Sequence, residues 1–96
     1  MPGVIVRRRA RADVREAALR YEGERPGLGV EFTLEFDAIV ARISQNPLQF
    51  PEVGSSARRA LLRRFPYAVY FVLGTRPSVI AVVHQHRHPD RWKERL

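Results

Sequence analysis

Apolar and polar positions alternate in two rhythms along this chain, a helical one in the first half and a two-residue one in the second. Val4 to Arg9 reads as a short opening strand in which apolar residues give way to a basic run. Asp13 and Glu16 have the spacing of a capping box, which predicts a helix start there or a few residues earlier. Val14, Ala17, Ala18 and Tyr21 follow at i, i+3, i+4 and i+7, one apolar stripe, until Pro26-Gly27 and Gly29 interrupt it. Phe32, Phe36, Ile39, Val40 and Ile43 give the clearest helical period in the chain, ended by Asn46-Pro47. Two helices joined by so short a Pro-Gly turn pack as an antiparallel hairpin.

Residues 46–57 are a loop by composition, with Asn, Pro, Gly and Ser throughout. Three strand-like runs follow: Arg59 to Phe65, Tyr67 to Leu73, and Ser78 to about His84. Pro66 separates the first two, and Gly74-Thr75-Arg76-Pro77 turns the chain between the second and third. In the middle run Tyr67, Val69, Phe71 and Leu73 share one face, and Ala68, Tyr70 and Val72 the other. Both faces are apolar, so this is a central strand covered on both sides. A short last helix, Asp90 to Leu96, carries Trp92. The expected fold is α+β: an N-terminal strand, then an antiparallel two-helix hairpin packed on a mainly antiparallel four-stranded sheet (β-α-α-β-β-β), and a short C-terminal helix.

The 96 residues suit one domain spanning the whole chain. There is no cysteine, so disulfide scaffolds, thiolate zinc sites and cysteine nucleophiles are excluded. No apolar run is long enough to span a membrane, and the charges near the start follow the apolar stretch, the reverse of a secretory signal. A cytoplasmic protein is the expectation. Charge adds more. Of a net +7, residues 58–96 carry nine basic and two acidic side chains, whereas residues 26–57 carry one basic and four acidic. Sixteen of the seventeen basic residues are Arg, whose planar fork suits carboxylate and phosphate. The C-terminal part is built to meet an anion, either nucleic acid or an acidic protein.

Two clusters could carry chemistry. Arg58, Arg59, Arg63 and Arg64 stand on the strand entering the sheet, as a phosphate or carboxylate clamp or as charges that blunt an edge strand. Alternation divides them between two faces, so at most half can address one ligand. His84, His86, Arg87 and His88 close the last strand. A histidine among cations loses its proton readily and can serve as a general base, while the arginines would hold phosphate. On spacing alone, His84 reads first as a half-buried strand-end residue bonded to a backbone carbonyl. Alternating histidines without nearby carboxylates or cysteines make a poor metal site, and neither metal nor cofactor is expected. Trp92 could stack on bases or pin the terminal helix to the sheet. Phosphate-loop glycines and a nucleophile elbow are absent, which excludes nucleotide hydrolysis by a P-loop and serine-hydrolase chemistry.

The runs RRALLRRFPYAVYFVL (residues 58–73) and VIAVVHQHRHPDRWKERL (residues 79–96) resemble the RelE/ParE superfamily of type II toxin–antitoxin toxins, and most of all its ParE branch. That branch typically reads Arg, a few apolar residues, Phe-Pro-Tyr, an apolar strand, then apolar-Val-x-His-x-x-Arg-x-Pro-x-x-Trp-x-x-Arg. Arg58, Phe65-Pro66-Tyr67, Val82-Val83-His84, Arg87, Pro89, Trp92 and Arg95 stand at those positions. Tyr21, the Pro26-Gly27-Leu28-Gly29 turn, Phe32 and Asn46-Pro47 fit as well. The resemblance implies a growth-inhibiting toxin of a plasmid-stabilisation module, neutralised by an acidic antitoxin that wraps its hairpin and sheet in a heterodimer or larger assembly. It implies DNA gyrase as target, with Arg58, Arg59, Arg63, Arg64, Tyr67, His84, Arg87, Trp92 and Arg95 on the binding surface. The RelE-like alternative is a metal-independent mRNA endonuclease acting on the ribosome with His84, Arg87, Arg58 and Arg64. RelE-like nucleases generally place a Tyr near the C-terminus, and here none follows Tyr70. A third reading is a basic domain that only binds nucleic acid or a protein partner.

Overall fold

The computed structural model describes residues 3–96; Met1 and Pro2, which open the stretch read above against a leader and begin the expected domain, lie outside them. Ile5–Val6 form β1, followed by helices α1 (Arg8–Glu24) and α2 (Leu28–Gln45) and a 3-10 turn at Pro47–Gln49. Strands β2 (Ala57–Leu61), β3 (Tyr67–Val72) and β4 (Ser78–His84) come next, then a 3-10 helix at Arg91–Arg95. The strands make one sheet in the order β1-β4-β3-β2, antiparallel except for the parallel β1–β4 pair. This is the α+β order expected from the periodicity.

Several boundaries differ from expectation. Helix α1 begins at Arg8, after an extended Arg7 that supplies no side-chain cap, so Asp13 and Glu16 lie inside the helix and form no capping box. The opening strand is two residues rather than six, because the chain turns into the helix as soon as the Arg7 N–H has bonded the Val79 carbonyl. Gly29, read as a break between helices, is buried within α2. Strand β2 starts at Ala57 and stops at Leu61. Beyond it Leu62 and Phe65 both enter the core, so the alternation that assigned Arg63 and Arg64 to opposite faces no longer holds. The terminal helix is a short 3-10 stretch rather than an α-helix.

The hairpin packs on one sheet face, where Ala10, Ala17, Phe32, Phe36, Ile39 and Ile43 meet Tyr67, Val69, Phe71, Val79 and Val82. The other face is smaller: Ala57, Ala68, Tyr70, Ile80, Ala81 and Val83 are covered by Trp92. Strand β3 is therefore apolar on both sides, as its sequence requires. Tyr70 pairs with Ala81 and Phe71 with Val79, which leaves Ile80 as a bulge that places it beside Ala81 on the smaller face. The Phe65-Pro66-Tyr67 triplet joins the layers. Phe65 packs against Tyr21 and Phe32 with ring centroids at 4.7 and 5.1 Å, and the Pro66 carbonyl accepts the Gln85 N–H.

Candidate functional site

His84 organises the loop that follows it. Its Nδ1 accepts the backbone N–H groups of His86 (3.1 Å) and Arg87 (3.2 Å), and its carbonyl accepts that of His88 (3.0 Å). The expected carbonyl partner for the imidazole is thus replaced by two N–H donors, which leaves Nε2 to carry the proton. The ring lies against its cross-strand partner Tyr67 at 5.2 Å. Burial, then the charges of Arg87, His86, Arg20 and His88, hold the His84 pKa below the ordinary histidine value. Tyr67 is buried, and its hydroxyl accepts a hydrogen bond from Arg20 on α1 at 3.1 Å. Among the described residues, no three His, Asp or Glu side chains gather as metal ligands.

The arginine run is dispersed. Arg58 donates to the Phe50 carbonyl at 2.6 Å and faces Glu52. Arg59 stands on the smaller sheet face beside Tyr70. The Arg63 N–H donates to Glu35, and the Arg64 guanidinium pairs with Glu31 while resting on the Phe65 ring. Glu31 is held below the usual carboxylate range, chiefly by that hydrogen bond. Arg58 is level with Phe71 and His84 with Tyr67, four residues apart on β3, roughly 13 Å at strand rise. His84 and Arg87 therefore share a neighbourhood that Arg20 joins, while Arg58 and Arg64 belong to others.

Trp92 is buried, stacked on Tyr70 at 4.9 Å with 7° between planes. Arg95 is turned inward as well, onto Asp13 of α1. Of the expected binding residues, Arg63, Arg64 and Arg87 are exposed, Arg58, Arg59 and His84 are partly buried, and Tyr67, Trp92 and Arg95 serve the interior. Asp13 and Arg20 were not singled out as site residues. A signal existed in the spacing, since Asp13 interrupts the buried face marked by Ala10 and Ala17.

The outer face of the hairpin is unexpectedly apolar. Leu19, Val30 and Leu34 are 67%, 60% and 62% exposed. Leu19 and Val30 border a groove of about 580 Å³ between the helices, rimmed by Arg11, Arg15, Glu22 and Asp37. Leu34 borders another of about 780 Å³ between α2 and the β2–β3 loop, rimmed by Arg42, Arg63 and Arg64 together with Glu31 and Glu35. Exposed apolar ground of this kind, edged by charge, is characteristic of protein–protein contact. No helix among the described residues is long and apolar enough to cross a membrane.

No protein-family model and no curated protein matches this chain. Among solved structures it is similar to a chain of the "Chromosomal ParDE TA system from P. aeruginosa", with a TM-score of 0.76 and 18% identity. The likeness covers 85% of this chain and 94% of that one, so the two share a fold over nearly their full lengths.

Proposed function

We propose that this chain is the toxin of a type II toxin–antitoxin module of ParE type, held inactive in the cytoplasm by an acidic antitoxin and directed at DNA gyrase. The observation that carries the reading is the fold shared with the ParDE chain along almost all of both molecules. The hairpin surface supports the partner. An amphipathic segment laid along α2 would bury Leu19, Val30 and Leu34; of the charges on the groove rims, Glu22, Glu31 and Glu35 are already engaged within the fold, whereas Arg11, Arg15, Arg42 and Arg63 form no ion pair among the described residues, which favours an acidic sequence. The HQHRHP loop lines neither groove, so such a segment would leave it open for the target.

Gyrase is favoured over mRNA because cleavage of RNA needs a proton acceptor, a proton donor and phosphate-binding cations in one place. Here Arg58 and Arg64 are engaged by the Phe50 carbonyl and Glu31, away from His84. The deciding experiment is DNA supercoiling by gyrase with the purified chain, together with a search for trapped covalent gyrase–DNA complexes. Inhibition with trapping is expected. Untouched supercoiling at large excess of folded protein would refute the gyrase target, and ribosome-dependent cleavage abolished by His84→Ala would replace it.

A further inference from the structure

Two consecutive backbone N–H groups, those of His86 and Arg87, converge on the Nδ1 of His84 at 3.1 and 3.2 Å. Among the described residues neither has another acceptor, whereas the flanking N–H groups of Gln85 and His88 go to the carbonyls of Pro66 and His84. The imidazole therefore closes a turn that the backbone alone leaves open. This geometry needs a lone pair on Nδ1. An imidazolium has none, because both of its ring nitrogens carry hydrogen. Proton uptake would set a donor against two donors and leave all three unpaired.

We propose that neutral His84 is the latch of the HQHRHP loop, a positioning residue that holds Arg87 beside α1, and that a proton on Nδ1 opens the loop. The charge of Arg87 acts on Tyr21 of α1 as well as on His84, which places its guanidinium on that side of the closed loop. The surroundings keep the latch shut near neutral pH. His86, Arg87 and His88 on the loop and Arg20 on α1 all oppose a charge on the ring. Arg91 of the C-terminal 3-10 helix lines the same pocket, and Tyr67 on β3 meets the ring edge-on. The two carboxylates there are committed, Asp13 to Arg95 and Glu16 to Arg20, so neither rewards protonation of His84. With Nδ1 occupied and hydrogen on Nε2, the latched ring can donate to a target but has no free lone pair with which to take a proton. That removes it from general-base chemistry while the loop is closed. The latch is a property of the fold and holds whichever target the loop meets.

The test is an NMR titration of the full chain carrying His86→Gln and His88→Gln, in which His84 is the only histidine left. Amide-exchange protection at positions 85, 86 and 87 and the Tyr21 ring signals are followed from about pH 8 to about pH 4. Positions 86 and 87 are expected to lose protection at least about fivefold at the midpoint of the His84 ring itself. Gln85, bonded to the Pro66 carbonyl, should not respond, and the Tyr21 signals should move with the same midpoint as Arg87 departs. His84→Asn, added to this background, sets an acceptor oxygen where Nδ1 stood and does not titrate, so protection should stay within about twofold across the range. His84→Leu should leave both amides unprotected at every pH. Protection that persists through the His84 titration, or that survives His84→Leu, would overturn the latch. A His84→Asn chain that loses protection, at neutral pH or on acidification, would overturn the acceptor role, and unmoved Tyr21 signals would overturn the positioning of Arg87. If His84→Leu unfolds, the parent titration and His84→Asn still decide.

Discussion

Arg95 grips Asp13 across 82 positions of sequence, its two Nη atoms 2.6 and 3.1 Å from the two carboxylate oxygens, with both side chains about nine-tenths buried. The pair also completes the sheet. β1 covers only the start of β4, at Ser78 and Val79, and leaves the edge beyond it bare. There Asp13 accepts the Val82 N–H at 2.9 Å, and Arg95 donates to the Ile80 carbonyl at 3.2 Å. One side chain from α1 and one from the C-terminal 3-10 helix thus stand where a longer β1 would have placed backbone.

Removing either partner leaves a buried charge and an unpaired strand group. Asp13→Ala should cost about 3–5 kcal/mol, read from denaturant midpoints. The double variant Asp13→Ala/Arg95→Met should cost at least about 1 kcal/mol less than the sum of the single changes. Additive costs would mean that the two groups act separately.

The hairpin turn is held by Glu22. From α1 its two carboxylate oxygens accept the N–H groups of Gly27 (2.8 Å) and Gly29 (3.0 Å) at the start of α2. Glu22→Ala should cost about 1 kcal/mol, the usual worth of an N-terminal cap. Gly29→Ala should be worse, on the order of 1–3 kcal/mol, since its Cβ would stand 2.4 Å from the Ala18 carbonyl oxygen, a backbone atom that cannot swing aside. Thermal midpoints within error of the parent for Gly29→Ala would show that the helices can separate without penalty.

His84 should titrate below the ordinary histidine value of 6.5, because burial and the cations around it disfavour its charged form. Where the folded pKa is the lower one, the unfolded chain binds more protons between the two values, so stability falls as pH drops through 6.5 toward the folded pKa and then levels off. His84→Gln should flatten that part of the pH–stability curve. An NMR titration of the His84 ring with a midpoint at or above 6.5 would contradict the assignment, as would an Nδ1–H tautomer near neutral pH.

Leu19 and Leu34 test the hairpin as a partner surface. Both are largely exposed, so Leu19→Glu and Leu34→Glu should each change stability by no more than about 0.5 kcal/mol. Together they should weaken association with a co-expressed acidic antitoxin at least about tenfold, measured by co-purification and titration. Undiminished association would place the interface elsewhere.

The helices and β3 were legible because their physics is local. Phe32 to Ile43 repeats within each turn, and Tyr67 to Leu73 is apolar at every position, which leaves only a strand covered on both faces. The Phe-Pro-Tyr and HQHRHP segments could also be placed at their turns. The arginine run could not be resolved in the same way, because alternation holds only while a strand is paired, and pairing of β2 stops at Leu61. Asp13 looked like a cap since its nearest signals are those of a helix start, whereas its partners are Arg95 and Val82 at the far end of the chain. The exposed Leu19, Val30 and Leu34 face was likewise decided only when the layers closed. Periodicity determines which side of an element seeks burial. Which charges find partners across elements, and which are left over to meet another molecule, depends on residues brought together only by the folded chain.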